Sequence, residues 1–126
     1  MYVHPIDIRY GEVDRQGVVF NAHYLAYCDH ASDSWFRQLH PTFEELGWEV
    51  MVKAASIEFH GRAGIGETLD LVLSLERVGR TSFDIAFSGK VVDDLVVSAR
   101  ITYVVVGTAD QRPVPIPAEL QAHLEA

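Results

Sequence analysis

One long helical pattern near the start of the chain constrains its fold more than any other feature. Apolar residues recur there at steps of three and four, as they do along one face of a helix. Asn21 precedes this pattern and is a favourable N-cap, and Pro41 follows its end as a stop. The sequence therefore predicts a helix over Ala22–Leu39. Its buried face is expected to carry Tyr24, Cys28, Ala31, Trp35 and Leu39.

Strand-like segments make up most of the remaining chain. One is predicted before the helix and four longer ones after it, followed by a short terminal helix. A single long helix followed by strands in hairpins predicts an α+β fold, in which a curved antiparallel sheet wraps around the helix. Gly11–Phe20 is expected to be a loop. The predicted strands are Val3–Tyr10, Trp48–His60, Thr68–Arg77, Ser82–Val92 and Leu95–Val106, and the terminal helix is Ala118–Leu124.

Composition narrows the class of protein. A chain of 126 residues, 48% of them hydrophobic, predicts one globular domain over residues 1–126. The formal net charge of −8 argues against a general nucleic-acid binder, which would need a basic face. No apolar run is long enough to span a bilayer, and no signal peptide is visible. Cys28 is the only cysteine, which excludes an internal disulfide and, with the missing signal peptide, predicts a cytoplasmic protein.

The segment Arg9–Tyr24 places one carboxylate, Asp14, in a short turn just before the long helix. Free N–H groups at a helix start can bind a developing oxyanion while a nearby carboxylate attacks a carbonyl or activates water. The alternative for Asp14 is a turn residue that bonds its own backbone, as aspartates before glycine often do. Gly17 is expected at a positive φ angle or at a close approach of two backbone segments.

Five segments together resemble 4-hydroxybenzoyl-CoA thioesterase-type proteins, a group of hotdog-fold acyl-CoA thioesterases. The resemblance covers nearly the whole chain and implies a hotdog fold, hydrolysis of acyl-CoA and no cofactor. It departs from the family pattern at Val13 and at Asn21, which leaves in doubt any mechanism that needs a histidine at the second position. The five segments are Arg9–Tyr24, Phe59–Glu67, Arg77–Phe83, Asp93–Ala99 and Pro113–Pro117.

The resemblance also implies roles for individual residues. Asp14 would be the catalytic carboxylate, as nucleophile or as general base, with Asp29 on the helix as a rival. The backbone N–H groups of Asn21 and Gly17 would polarise the thioester carbonyl. No metal site is expected, because the six histidines are scattered in the sequence. The residues expected to contact CoA are Arg62, Arg80, Thr81 and Ser82, and those expected to line the acyl pocket are Tyr24 and Trp48.

Three alternatives remain open on sequence grounds. The same fold could dehydrate or hydrate acyl thioesters, although no positioned His–Asp or His–Glu motif is evident. It could bind acyl thioesters without catalysis, or act on an acyl-carrier protein, which the acidic net charge disfavours. A homodimer or larger assembly is expected, because the edge strands of one copy need covering. The resemblance implies that two subunits join their sheets with the active site between them, often within a homotetramer. In that assembly residues 11–20 are expected to face the partner's segment at residues 60–66.

Overall fold

The computed structural model describes residues 1–126 and forms one antiparallel sheet against one long helix. Its five strands lie in the order β1-β3-β4-β5-β2, so that β1 and β2 form the two edges. Short 3₁₀ turns at Tyr10–Glu12 and Phe43–Leu46 flank the long helix. The strands are β1 (Tyr2–Asp7), β2 (Trp48–Phe59), β3 (Thr68–Val78), β4 (Ser82–Val91) and β5 (Asp94–Gly107); the helices are α1 (Asn21–Leu39) and α2 (Ala118–Glu125).

The core lies between α1 and the concave face of the sheet. Alternate residues of β3, β4 and β5 point towards the helix, as the period of two in a strand requires. Four of the five residues predicted for the helix face are buried, and Leu39 is half-buried. The predicted fold, a helix wrapped by a curved antiparallel sheet, is confirmed. The buried strand residues of this face include Leu69, Leu71, Leu73, Phe83, Ile85, Phe87, Ile101, Tyr103 and Val105.

Two predicted boundaries near the helix start are wrong, for local reasons. The first strand ends at Asp7, because Arg9 and Glu12 bond each other and open the turn at residues 10–12. Asn21 is the first helical residue and not the N-cap, since Phe20 takes the cap position without a side-chain bond. The Phe20 N–H donates to the Glu12 carbonyl, and the Phe20 carbonyl accepts from His23. The helix therefore starts without a side-chain cap on its first N–H groups.

The β2 edge is open along most of its length. β2 pairs only with β5, and the pairing shifts between Val52 and Ala54. Met51, Val52 and Phe59 are 45%, 49% and 46% exposed. An uncovered edge strand with apolar side chains is a ready surface for pairing with another chain. None of the helices combines the length and apolar character that crossing a membrane would require.

Candidate active site

The loop before α1 folds Asp14 into a tight turn. The Asp14 N–H donates to the Val18 carbonyl at 2.8 Å, and the Gly17 N–H donates to the Asp14 carbonyl at 3.0 Å. Gly17 has φ +78°, which confirms the positive angle predicted for this glycine. The Gln16 N–H donates to Asp14 Oδ1 at 2.8 Å. Asp14 is exposed, and its second carboxylate oxygen, Oδ2, has no hydrogen-bond partner in the chain.

A second loop, residues 61–67, holds the Asp14 turn in place. The Val19 N–H donates to the Ala63 carbonyl at 2.8 Å, and the Ile65 N–H donates to the Gly17 carbonyl at 3.2 Å. A Cβ added to Gly64 would lie 3.0 Å from the Gly17 carbonyl oxygen, so this approach depends on glycine. The contact joins two segments of one chain. The Asp14 turn is therefore held within one chain, without the partner subunit that residues 11–20 were predicted to face.

The start of α1 faces the same region as Asp14. The Asn21 N–H has no acceptor, as expected for the first N–H groups of a helix without a side-chain cap. The aligned peptide dipoles of this 19-residue helix add a partial positive charge at that end. An unsatisfied donor and a positive dipole end together favour an oxygen that carries negative charge.

A pocket of about 300 Å³ joins these groups. Its wall combines the Asp14 turn, the first turn of α1 and the start of the second loop, and it contains no histidine. Four residues named from the sequence meet here: Asp14, Asn21, Tyr24 and Arg62. Sequence reasoning missed Gly61, whose only signal is its place in a glycine-rich turn. The complete lining is Asp14, Gln16, Val18, Val19, Asn21, Tyr24, Gly61 and Arg62.

The buried Tyr24 side chain holds the second loop in place. It is 2% exposed, and its hydroxyl oxygen accepts the Ala63 N–H at 3.3 Å. Burial raises the pKa of Tyr24, so the hydroxyl keeps its proton at neutral pH. Glu67, another residue not singled out from the sequence, accepts the next N–H along, that of Gly64, at 2.7 Å. Two successive N–H groups of this loop are thus held by side chains.

The structure corrects the role expected for the Gly17 N–H. That group already donates to the Asp14 carbonyl and is therefore not available to polarise a substrate carbonyl. The sequence could not reveal this, because a glycine at this position is consistent both with a positive φ angle and with a backbone N–H left free for the substrate. Gly17 shapes the turn instead, which leaves Asn21 as the candidate donor.

Asp29 lies apart from the pocket around Asp14. It sits about two helical turns beyond Asn21 and is not among the residues that line that pocket. Burial raises the pKa of Asp29, and the neighbouring Asp33 carboxylate adds to the effect. The two rival carboxylates therefore do not share one site within a chain.

Other expected site residues lie at the far end of the sheet. Ser82 pairs with Val104, whereas Phe59, beside the pocket, pairs with Val97, a separation of roughly 23 Å along β5. Arg80, Thr81 and Ser82 therefore do not meet Asp14 within one chain, and the Ser82 hydroxyl accepts from Arg77 at 2.9 Å.

Within one chain Trp48 lies far from the pocket that Tyr24 lines, so the predicted acyl-pocket role of Trp48 stays a prediction. It begins β2, whereas the pocket lies beyond the other end of that strand, roughly 35 Å away. Its ring is buried and stacks on Phe43, with centroids 4.9 Å apart. No three His, Cys, Asp or Glu side chains cluster in a way that would hold a metal ion.

Comparisons with known proteins agree with this architecture. A hypothetical protein from Aquifex aeolicus superposes with a TM-score of 0.91 at 22% identity, covering 99% of this chain and 100% of its own. A 1,4-dihydroxy-2-naphthoyl-CoA thioesterase from Synechocystis gives 0.86 at 19% identity, covering 98% and 94%. YbaW, a probable thioesterase from Escherichia coli, gives 0.84 at 20% identity, covering 98% and 96%. At these identities the likeness establishes the fold.

The family assignment comes from the sequence itself. No curated protein matches the chain, and the narrower 4-hydroxybenzoyl-CoA thioesterase-type group stays a prediction. The model of the thioesterase-like superfamily, however, matches residues 8–124, which is nearly the whole chain. Membership supports thioester hydrolysis as the class of reaction. By this match, the chain belongs to the thioesterase-like superfamily of hotdog-fold proteins.

Proposed function

We propose that this protein hydrolyses acyl-CoA thioesters to a free acid and CoA, with Asp14 as the catalytic carboxylate. The observation that carries the proposal is the shared pocket of Asp14 and the start of α1. It joins a carboxylate with one unbonded oxygen to an N–H that lacks an acceptor. The family supplies the class of reaction, and the pocket supplies the groups that the reaction needs.

The chemistry follows from these two groups. The Asn21 N–H and the helix dipole stabilise negative charge on the thioester oxygen, and one such donor is typically worth about 10²–10³ in rate. Asp14 either attacks the carbonyl carbon to form an anhydride or removes a proton from a water that attacks it. Asp14 Oδ1 is fixed by the Gln16 N–H, so Oδ2 is the atom that acts. Both routes expel the CoA thiolate, which takes up a proton. In the first route water then hydrolyses the anhydride, which releases the free acid and restores the Asp14 carboxylate; in the second the attacking water supplies the acid oxygen and its proton passes through Asp14.

A CoA substrate accounts for Arg62 in the wall of the pocket. A guanidinium can bond phosphate oxygens through several N–H groups and offsets the acidic net charge locally. The similar structure from Synechocystis is a CoA thioesterase by name, which favours the same carrier here. A dehydratase or hydratase is disfavoured, because this pocket lacks the histidine that such chemistry would use.

Dimerisation through the open β2 edge would bring the remaining CoA contacts to the site. Antiparallel pairing of two β2 strands places the start of one strand beside the end of the other. The loop carrying Arg80 of the partner subunit then lies at the Asp14 end of the joined sheet. The Arg80 loop of the partner subunit and the Asp14 end of β2 are three strand spacings apart across the joined sheet. This distance is roughly 14 Å, which an extended CoA can span. Sedimentation should show a dimer or tetramer, and a stable monomer at micromolar concentration would contradict this assembly.

Hydrolysis assays that follow thiol release over a panel of acyl-CoAs test the proposal and identify the acyl group. Each acyl group should also be offered on a truncated thioester that lacks the nucleotide. We expect Arg80→Ala to raise KM for the CoA substrates, because a phosphate contact is the same in the ground and transition states. The truncated substrates should be unaffected. Equal effects on both would mean that Arg80 does not contact the nucleotide, and binding without turnover would indicate a non-catalytic binding protein.

A further inference from the structure

A second cleft lies on the opposite side of α1 from the Asp14 pocket. It encloses about 410 Å³ between the edge strand β1, the turn at residues 10–12 and the first half of the helix. The helix contributes positions 23, 26, 27 and 30, which share one face at steps of three and four. None of the residues that line the Asp14 pocket belongs to this cleft.

Half of the chain's histidines meet in this cleft. His4 comes from β1, and His23 and His30 come from α1. The His4 and His30 rings meet edge to face, with centroids 5.1 Å apart. The Nδ1 atom of His4 bonds the Tyr2 hydroxyl at 3.0 Å, which leaves Nε2 unbonded. The rings of His23 and His30 form no hydrogen bond within the chain.

Three of the four carboxylate oxygens in the cleft already accept hydrogen bonds. Glu12 accepts the Arg9 backbone N–H at 2.9 Å and two guanidinium N–H groups at 2.6 and 3.2 Å. The Arg9 guanidinium also lowers the pKa of Glu12 to about 2, so this carboxylate stays ionised and paired. Asp7, the other carboxylate, accepts the Thr68 hydroxyl at 2.8 Å.

Several donors, by contrast, have no partner. Arg9 leaves Nη1 unbonded, and its side chain is 80% exposed. Tyr27 is 6% exposed, lines the cleft, and its hydroxyl has no hydrogen-bond partner in the chain. Burial raises the pKa of Tyr27, so the hydroxyl retains a proton to donate. A site in which unpaired donors outnumber free carboxylate oxygens is complementary to a ligand that brings acceptor oxygens.

We propose that the cleft between β1 and α1 binds a small oxyanion, a carboxylate or a phosphate group, through its unpaired donors, which belong to His4, His23, His30, Arg9 and Tyr27. The unpaired donors carry this assignment and net charge does not, because Asp7 and Glu12 outnumber Arg9 among the charged residues of the cleft. An anion held there lies beside the positive side of the Arg9–Glu12 pair. The proposal is independent of thioester hydrolysis, because it shares no residue with the Asp14 pocket.

Histidine NMR gives a test with internal controls. Imidazole signals of the full-length protein are followed while inorganic phosphate, or in a separate series acetate, is added at constant ionic strength. We expect saturable shifts at His4, His23 and His30, and none at His40, His60 and His123, which lie outside the cleft. The anion that binds more tightly identifies the group as phosphate or carboxylate. Uniform shifts of all six signals, or no saturable shift with either anion, would overturn the proposal.

Two variants separate binding from folding. His30→Ala removes a donor from an exposed helix position and should weaken binding about tenfold, the value of one charge-assisted hydrogen bond. Tyr27→Phe should weaken binding while leaving thermal stability unchanged, because the hydroxyl has no partner to lose. Tyr10→Phe, which alters a tyrosine that is 82% exposed and outside the cleft, is the matched control. Binding unaffected by both His30→Ala and Tyr27→Phe would refute the site.

Discussion

The two clefts beside the first half of α1 differ in which polar groups they leave free. On the β2 side, Asp14 presents an unbonded carboxylate oxygen and Asn21 an unbonded N–H. On the β1 side, Glu12 is fully paired with Arg9, and the free groups are imidazoles and a hydroxyl. Glu12 and Asp14 are only two residues apart in the sequence. Their different partners, and not their chemical type, decide which one is available for chemistry.

The difference shows how a short loop can separate a reactive carboxylate from a structural one. Glu12 accepts three N–H groups from Arg9, whereas Asp14 accepts one from Gln16. A carboxylate that is saturated with donors is a poor nucleophile and a poor base, because those bonds stabilise its charge. A helix N–H is also free beside Asp14. The comparison therefore supports the two proposals, catalysis on the β2 side and anion binding on the β1 side.

Replacing the free carboxylate should have the largest effect. We expect Asp14→Asn to lower kcat by about 10²–10⁴, the usual contribution of a general base, because an amide neither attacks nor takes a proton. The side chain is exposed and nearly isosteric with asparagine, so thermal unfolding should be unchanged. Steady-state hydrolysis of the best acyl-CoA substrate, with KM measured separately, checks this.

Glu12→Gln and Asp29→Asn are the controls for that experiment. Glu12 is paired with Arg9 and Asp29 lies outside the pocket, so both variants should retain kcat within a few-fold. Turnover that survives Asp14→Asn but not Asp29→Asn would make the helix carboxylate the catalyst. Loss of turnover in Glu12→Gln with intact folding would instead mean that the carboxylate on the β1 side is also needed for turnover.

The sequence predicted those features that depend on a local pattern of residues. The buried face of α1 follows from spacing within one helix, and Asp14 follows from one continuous segment. The sequence did not show that Trp48 and Arg80 lie far from Asp14 within one chain, because strand register decides where the two ends of a strand lie. Likewise His4 and His30 are 26 positions apart in the sequence. Only the packing of α1 beside β1 brings their rings together.

Two buried tyrosines, one helical turn apart on α1, differ in the hydrogen bonds of their hydroxyl groups. The Tyr24 hydroxyl holds the Ala63 N–H, whereas the Tyr27 hydroxyl has no partner. Tyr24→Phe leaves a buried N–H unpaired and should lower the free energy of unfolding by about 1–3 kcal/mol. Tyr27→Phe removes a hydroxyl that bonds nothing and should change it little. Urea unfolding of both variants measures the contrast.

The same pair also tests how the catalytic turn is held. Ala63 accepts the Val19 N–H, so loosening Ala63 should disturb the Asp14 turn and lower kcat more than it raises KM. Tyr27→Phe should leave both constants unchanged. Equal loss of stability in the two variants would show that the Tyr27 hydroxyl has a structural partner after all. That result would weaken the case for a ligand site on the β1 side.

The smallest expected effect is the dependence of stability on the Arg9–Glu12 pair at acidic pH. The side-chain hydrogen bond from Arg9 lowers the pKa of Glu12 from 4.5 to about 2. A lowered pKa in the folded state means that the stabilisation is present above the unfolded value, near 4.5, and is lost as pH falls towards 2. Arg9 is 80% exposed, so solvent screening keeps the contribution of the pair small. Urea unfolding of wild type and Glu12→Gln across this range should show a gap at neutral pH that closes between pH 4.5 and 2. A gap that stays constant with pH would mean that the Glu12 charge contributes nothing, and that the turn at residues 10–12 is held by its backbone alone.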